Sequence, residues 1–83
     1  MKNVISSAIA RDVFPITPHA SNPLDTKAYG IKVTGSAGNI VGTTEAGIQR
    51  TIPVAAGEVV PVVFTHINSA TTATGLWGYT LFL

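Results

Sequence analysis

VAAGEVVPVVFTHINSATTATG, residues 54 to 75, holds the longest apolar run of the chain, from Val59 to Ile67. Turn signals bracket it: Ala55-Ala56-Gly57-Glu58 on one side and the polar stretch from Asn68 to Gly75 on the other. Strand alternation places Val59, Pro61, Val63 and Ile67 on one face and Val60, Val62 and Phe64 on the other. Both faces are apolar, which is the pattern of a strand covered on both sides. In a chain of 83 residues, one cover is expected to be the opposite sheet and the other a second chain.

Composition points the same way. A single domain this small buries only about 60 to 65% of the surface its unfolded chain exposes, so an isolated core is marginal. No cysteine is present to form a disulfide, and two histidines cannot build a structural zinc site. Self-association is the remaining source of stability. With 46% hydrophobic and 11% charged residues, the surface must be weakly polar, since an ordinary domain carries roughly 25% charge. The net charge of +1 is spread over Lys2, Arg11, Lys27, Lys32 and Arg50. Without a basic cluster, neither nucleic acid nor an anionic membrane is an expected partner. Met1 to Ala10 imitates a secretory signal only superficially, because Asn3, Ser6 and Ser7 interrupt its apolar stretch.

Outward from the central run, the other strands follow. Leu76 to Leu83 alternates with Leu76, Thr80 and Phe82 facing one way and Trp77, Tyr79, Leu81 and Leu83 the other. Ile48 to Val54 forms a strand whose Pro53 cannot donate a ladder hydrogen bond, so that end belongs at an edge or a bulge. Ala28 to Thr34 places Tyr29, Ile31 and Val33 on one face and Ala28, Gly30, Lys32 and Thr34 on the other. Gly35 to Asn39 then joins it to Ile40–Thr43, and the pair is expected to form a hairpin. Residues 1 to 26, interrupted by Pro15, Pro18 and Pro23, are expected to form an arm and a proline-rich loop. The arm would lie along a sheet edge or a neighbouring subunit, with a short helix over Val4–Arg11 as the alternative. Residues 27 to 83 form the domain proper. The expected fold is all-β, a small antiparallel sandwich or barrel of jelly-roll type with an extended N-terminal arm.

No residue set carries catalysis. His66 in the central strand and His19 in the proline loop have no further ligands at metal spacing, so His66 is expected to bond a neighbour rather than a metal. Glu45 and Glu58 fall at turns, and no spacing among the four carboxylates selects a hydrolytic pair. Thr71-Thr72-Ala73-Thr74-Gly75 lacks the lysine and the following helix of a phosphate loop, so its hydroxyls are expected to bond backbone groups. No cofactor is expected. Trp77 and Tyr79, two apart on one strand face, suit a subunit interface, or alternatively a sugar-stacking platform.

The order of these pieces resembles a known family. Ile16-Thr17-Pro18 precedes Val33-Thr34-Gly35-Ser36-Ala37-Gly38-Asn39, then Ile52-Pro53-Val54-Ala55-Ala56-Gly57, Val60-Pro61-Val62 and Ala70-Thr71-Thr72-Ala73-Thr74-Gly75. From about Phe14 to Leu83 this resembles the small head-spike base proteins of tailed bacteriophages and gene transfer agents. The chain departs from them at His19-Ala20-Ser21-Asn22, where an acidic, serine-rich segment is usual, and at Ala70, where glycine is usual. The resemblance implies a non-enzymatic virion protein, made in the host cytoplasm and assembled on the capsid exterior as a spike base or decoration. Its partners would be copies of itself, in a trimer or pentamer, and other capsid proteins. Val60, Val62, Phe64, Trp77, Tyr79, Phe14 and Ile16 are the expected interface residues. The alternative function is a carbohydrate-binding module at a fibre or spike.

Overall fold

A computed structural model describes residues 9 to 80. Six strands run in the order β1 (Val13–Pro15), β2 (Ala28–Val33), β3 (Gly38–Thr44), β4 (Gln49–Val54), β5 (Val59–Ile67) and β6 (Leu76–Tyr79). All pairings are antiparallel, and one sheet contains them in the order β1-β6-β2-β5-β3-β4. No helix occurs among the described residues. The all-β antiparallel expectation holds. The helix considered over Val4–Arg11 lies mostly outside the described residues, as do Leu81, Phe82 and Leu83.

β5 is central and carries a proline, which a flat interior strand does not tolerate. The register shows how Pro61 is accommodated. Ile31 faces Val60 and Tyr29 faces Val63, so Pro61 and Val62 together stand opposite Gly30 alone. This is a β-bulge, which leaves a residue outside the ladder and bends the strand. Gly30 takes φ +115°, a conformation that side chains disfavour. A second irregularity follows, where Thr43 faces His66 but Thr44 faces Phe64.

These bulges overturn two facial assignments made on strict alternation. Ala28 is fully buried together with Ile31 and Val33, while Tyr29 is only partly covered. Ile67 likewise joins Val60 and Phe64 in the core. In each case an irregular step changes which parity faces inward.

The expected hairpin between β2 and β3 does not form, because β5 lies between them. Chain length then dictates the shape. The Val33 amide bonds the Glu58 carbonyl at the start of β5, whereas Gly42 pairs with Ile67 at its end. In a flat sheet Gly38, four residues before Gly42 on this antiparallel strand, stands farther from Val33 than the nine residues of β5, more than about 30 Å. Residues 34 to 37 span at most about 18 Å. The sheet therefore folds over along β5, which serves both layers: β1, β6, β2 and the first half of β5 make one, and the second half of β5, β3 and β4 make the other. The molecule measures 41 × 25 × 19 Å. Between the layers lie Phe64, Ile31, Ile40, Ile67 and Val33, all fully buried, with Leu76, Val54 and Ile16 beside them.

Residues 68 to 75 close the open side. The Thr71 hydroxyl accepts from the Val41 amide at 2.9 Å and donates to the Val41 carbonyl at 3.1 Å. Thr72 and Thr74 hydroxyls accept from the amides of Asn39 and Ser36. The threonine run thus binds backbone, as its composition suggested. Gly75 ends the seam at φ +67°, where a Cβ would stand 2.5 Å from the Gly35 nitrogen.

The N-terminal segment takes the sheet-edge option. β1 pairs with β6, and Phe14 packs on Gly78, where any Cβ would stand 2.7 Å from the ring. The loop that follows is tied to β5 by bonds from the His19 and Leu24 amides to the carbonyls of Ile67 and Thr65.

Two substitutions test the seam by urea denaturation. Thr71→Val is expected to cost about 1 to 2 kcal/mol, because it removes both bonds to Val41 in a partly buried site. Gly75→Ala is expected to cost about 2 kcal/mol or more, through an unfavourable φ and a backbone collision.

Candidate assembly surface

The seven residues expected at an interface separate into two groups. Val60, Phe64 and Ile16 are buried in this chain's own core, and Phe14 and Val62 are partly buried against it. Trp77 is exposed and Tyr79 half-exposed on the outer face of β6. The interior group is already covered by the protomer, because the bent β5 directs Val60 and Phe64 into the space between the layers.

Around Trp77 the register assembles an outward row that alternation within single strands did not reveal. Pro15 faces Trp77, Trp77 faces Lys32, and Lys32 faces Val59. Directly paired residues share a face, so these four side chains lie side by side across β1, β6, β2 and β5. Val13 and Tyr79 form a second paired position on that face. Val59 is 47% exposed, Val13 45% and Trp77 38%. On the outer face β5 thus contributes Val59 rather than Val60. Pairing order across the sheet was needed to find Val59, Val13 and Pro15, and no pattern within one strand supplies it.

The row is a continuous apolar strip with one cation, Lys32, near its centre. Large apolar side chains held on the rigid face of a sheet lose little entropy on contact, so the strip is suited to burial against another protein surface.

A concavity of about 520 Å³ lies beside the proline loop and is lined by residues including Phe14, His19, Leu24 and Asp25. Its walls are held by histidine bonds. His66 Nε2 stands 2.7 Å from the His19 carbonyl, which can only accept, so Nε2 carries the proton. His19 Nδ1 accepts from the amides of Ser21 and Asn22 at 3.1 and 3.0 Å. His66 therefore bonds a neighbour, as the sequence suggested, and the described residues include no group of three or more metal-ligating side chains.

The acids have local roles. Glu58 accepts from the Ala55 amide across the β4–β5 turn at 2.8 Å. Glu45 pairs with Lys27 at 2.8 Å, and that hydrogen bond, with the attraction of opposite charges, holds Lys27 above the usual lysine range. The pair is open to water and adds little stability.

No family model and no curated protein matches the sequence. Among solved structures, the chain is similar to one in the capsid of a native gene transfer agent particle computed with C5 symmetry. The TM-score is 0.75 and the identity 30%, over 84% of this chain and 82% of that one.

His19→Phe tests the loop ties. Amide exchange at Ser21 and Asn22 is expected to accelerate about tenfold or more, while Ile31 and Phe64 keep their protection.

Proposed function

We propose that this chain, which belongs to the structural virion proteins of phages and gene transfer agents, is a non-enzymatic component of the capsid exterior. It assembles as a ring of identical copies and serves as a spike base or decoration to which further virion proteins attach. The outward row of Pro15, Trp77, Lys32 and Val59 is the observation that carries this reading. A surface strip of that kind, on a domain with a one-sided core, is best accounted for by a contact that covers it.

Ring closure requires a heterologous contact, in which the strip of one copy meets a different surface of the next. The similar chain comes from a particle computed with fivefold symmetry, with which a ring of five copies is compatible. Burying Trp77, Val59 and Val13 contributes about 1.5 to 3 kcal/mol for each side chain fully covered. A few such residues per copy supply the stability that a domain of this size lacks. The weak net charge fits a protein-binding role and offers no basis for nucleic-acid or membrane attachment.

Native mass spectrometry of the purified protein tests the ring. The unmodified chain is expected to form a closed assembly at micromolar concentration. Trp77→Ser is expected to abolish every species larger than a dimer while preserving the circular dichroism spectrum. A wild-type chain that stays monomeric contradicts the reading. Glycan binding that disappears in Trp77→Ser with assembly intact would instead support a sugar platform.

A further inference from the structure

The two edges of the sheet differ in what they offer a new strand. On β1, the Ile16 amide bonds the Leu76 carbonyl, and the Asp12 carbonyl accepts from the Thr80 amide. Even-numbered residues therefore turn their main-chain groups toward β6, and Val13 and Pro15 turn theirs outward. Neither has a free donor. The Val13 amide is bonded to the Asp12 carboxylate at 2.8 Å, and Pro15 has no N–H. This edge is guarded.

β4 is the opposite case. Across from it on β3, Val41 directs both its amide and its carbonyl to Thr71, and Asn39 directs its own to Thr72. Thr43 sends its carbonyl to Thr65. These odd-numbered residues turn away from β4 and face Thr51, Pro53 and Gln49. Each is a non-hydrogen-bonded pair, so the main-chain groups of Gln49, Thr51 and Pro53 point out of the sheet. Pro53 occupies one of the positions where a missing N–H costs β4 no ladder bond. Gln49 and Thr51 are exposed and present free amides, and among the described residues nothing pairs with this edge.

We infer that the β4 edge is a strand-addition site whose occupant is β4 of a second copy, in a twofold antiparallel register centred on Thr51. That register uses every outward donor. The two Thr51 residues exchange both of their bonds, and each Gln49 amide meets the partner's Pro53 carbonyl, while the Gln49 carbonyl receives no bond in return because proline has no N–H. Arg50 comes opposite Ile52, and the exposed Ile48 comes opposite Val54, so no like charges face each other directly. Joining β4 to β1 of another copy would use only the two β4 donors, because β1 has none to return. The pairing is therefore isologous and separate from the outward strip of Trp77.

Proline substitution tests it without removing any bond inside the protomer. In a Trp77→Ser background, which removes ring contacts, sedimentation equilibrium is expected to show a monomer–dimer equilibrium. Thr51→Pro is expected to weaken it at least about tenfold with the spectrum unchanged. As a readout of register, Thr51→Cys brings two thiols together at a twofold axis in a chain with no other cysteine. Mild oxidation is expected to link it at least about ten times faster than Gln49→Cys, whose symmetry mates lie far apart. A dimer unaffected by Thr51→Pro, equal cross-linking at both positions, or no dimer in the Trp77→Ser background overturns the inference. Rings that survive Thr51→Pro leave the proposed function standing, and a dimer that persists without rings leaves the edge pairing standing.

Discussion

A proline in the middle of the central strand is the constraint on which this molecule depends. Pro61 cannot donate to the ladder, so the chain places it in a bulge opposite Gly30, whose φ of +115° accommodates the irregular step. The bulge bends β5, and only a bent β5 lets four residues connect β2 to β3. Two layers are thus made from one sheet. The same irregularities put Ala28 and Ile67 into the core and leave Val59 and Pro61 outside.

Folding one sheet over leaves an open side and two free edges, and each is handled differently. Along the open side, threonine hydroxyls accept from the amides of Asn39, Val41 and Ser36, and Gly75 allows the strands to approach where any side chain would collide. At one edge, Asp12 and Pro15 leave no outward donor. At the other, Gln49 and Thr51 keep theirs. The core lies on one side of each layer, so the outer face of the first remains apolar around Trp77. Among the described residues none covers it.

Strand positions were legible in the sequence because alternation and turn residues are local. Val59–Ile67 matches residue for residue, and Gly57 sits in its expected turn at positive φ. Sequence adjacency failed where pairing is non-local: Gly35 to Asn39 looks like a hairpin loop, yet the partner of β2 arrives from β5. Facial assignments failed for a related reason. A period of two cannot register an extra residue, so strict alternation sets Ala28 and Ile67 opposite the core-facing residues although both are buried in the core. β1 went unrecognised as a strand because Pro15 interrupts it, although a proline at that spot is compatible with an edge. Trp77 and Tyr79 lie on the outer face of β6, and their companions Pro15, Lys32 and Val59 depend on register across four strands.

The outward strip as an assembly surface is the central claim, and the chain carries its own reporter there, since Trp77 is its single tryptophan. Tryptophan emission and acrylamide quenching, followed through a dilution series that dissociates the assembly, test the claim most directly. If the account is correct, the assembled protein shows blue-shifted emission and reduced quenching relative to the dilute chain, because Trp77 leaves water on assembly. An assembly whose tryptophan is as red-shifted and as quenchable as that of the dissociated chain would contradict it.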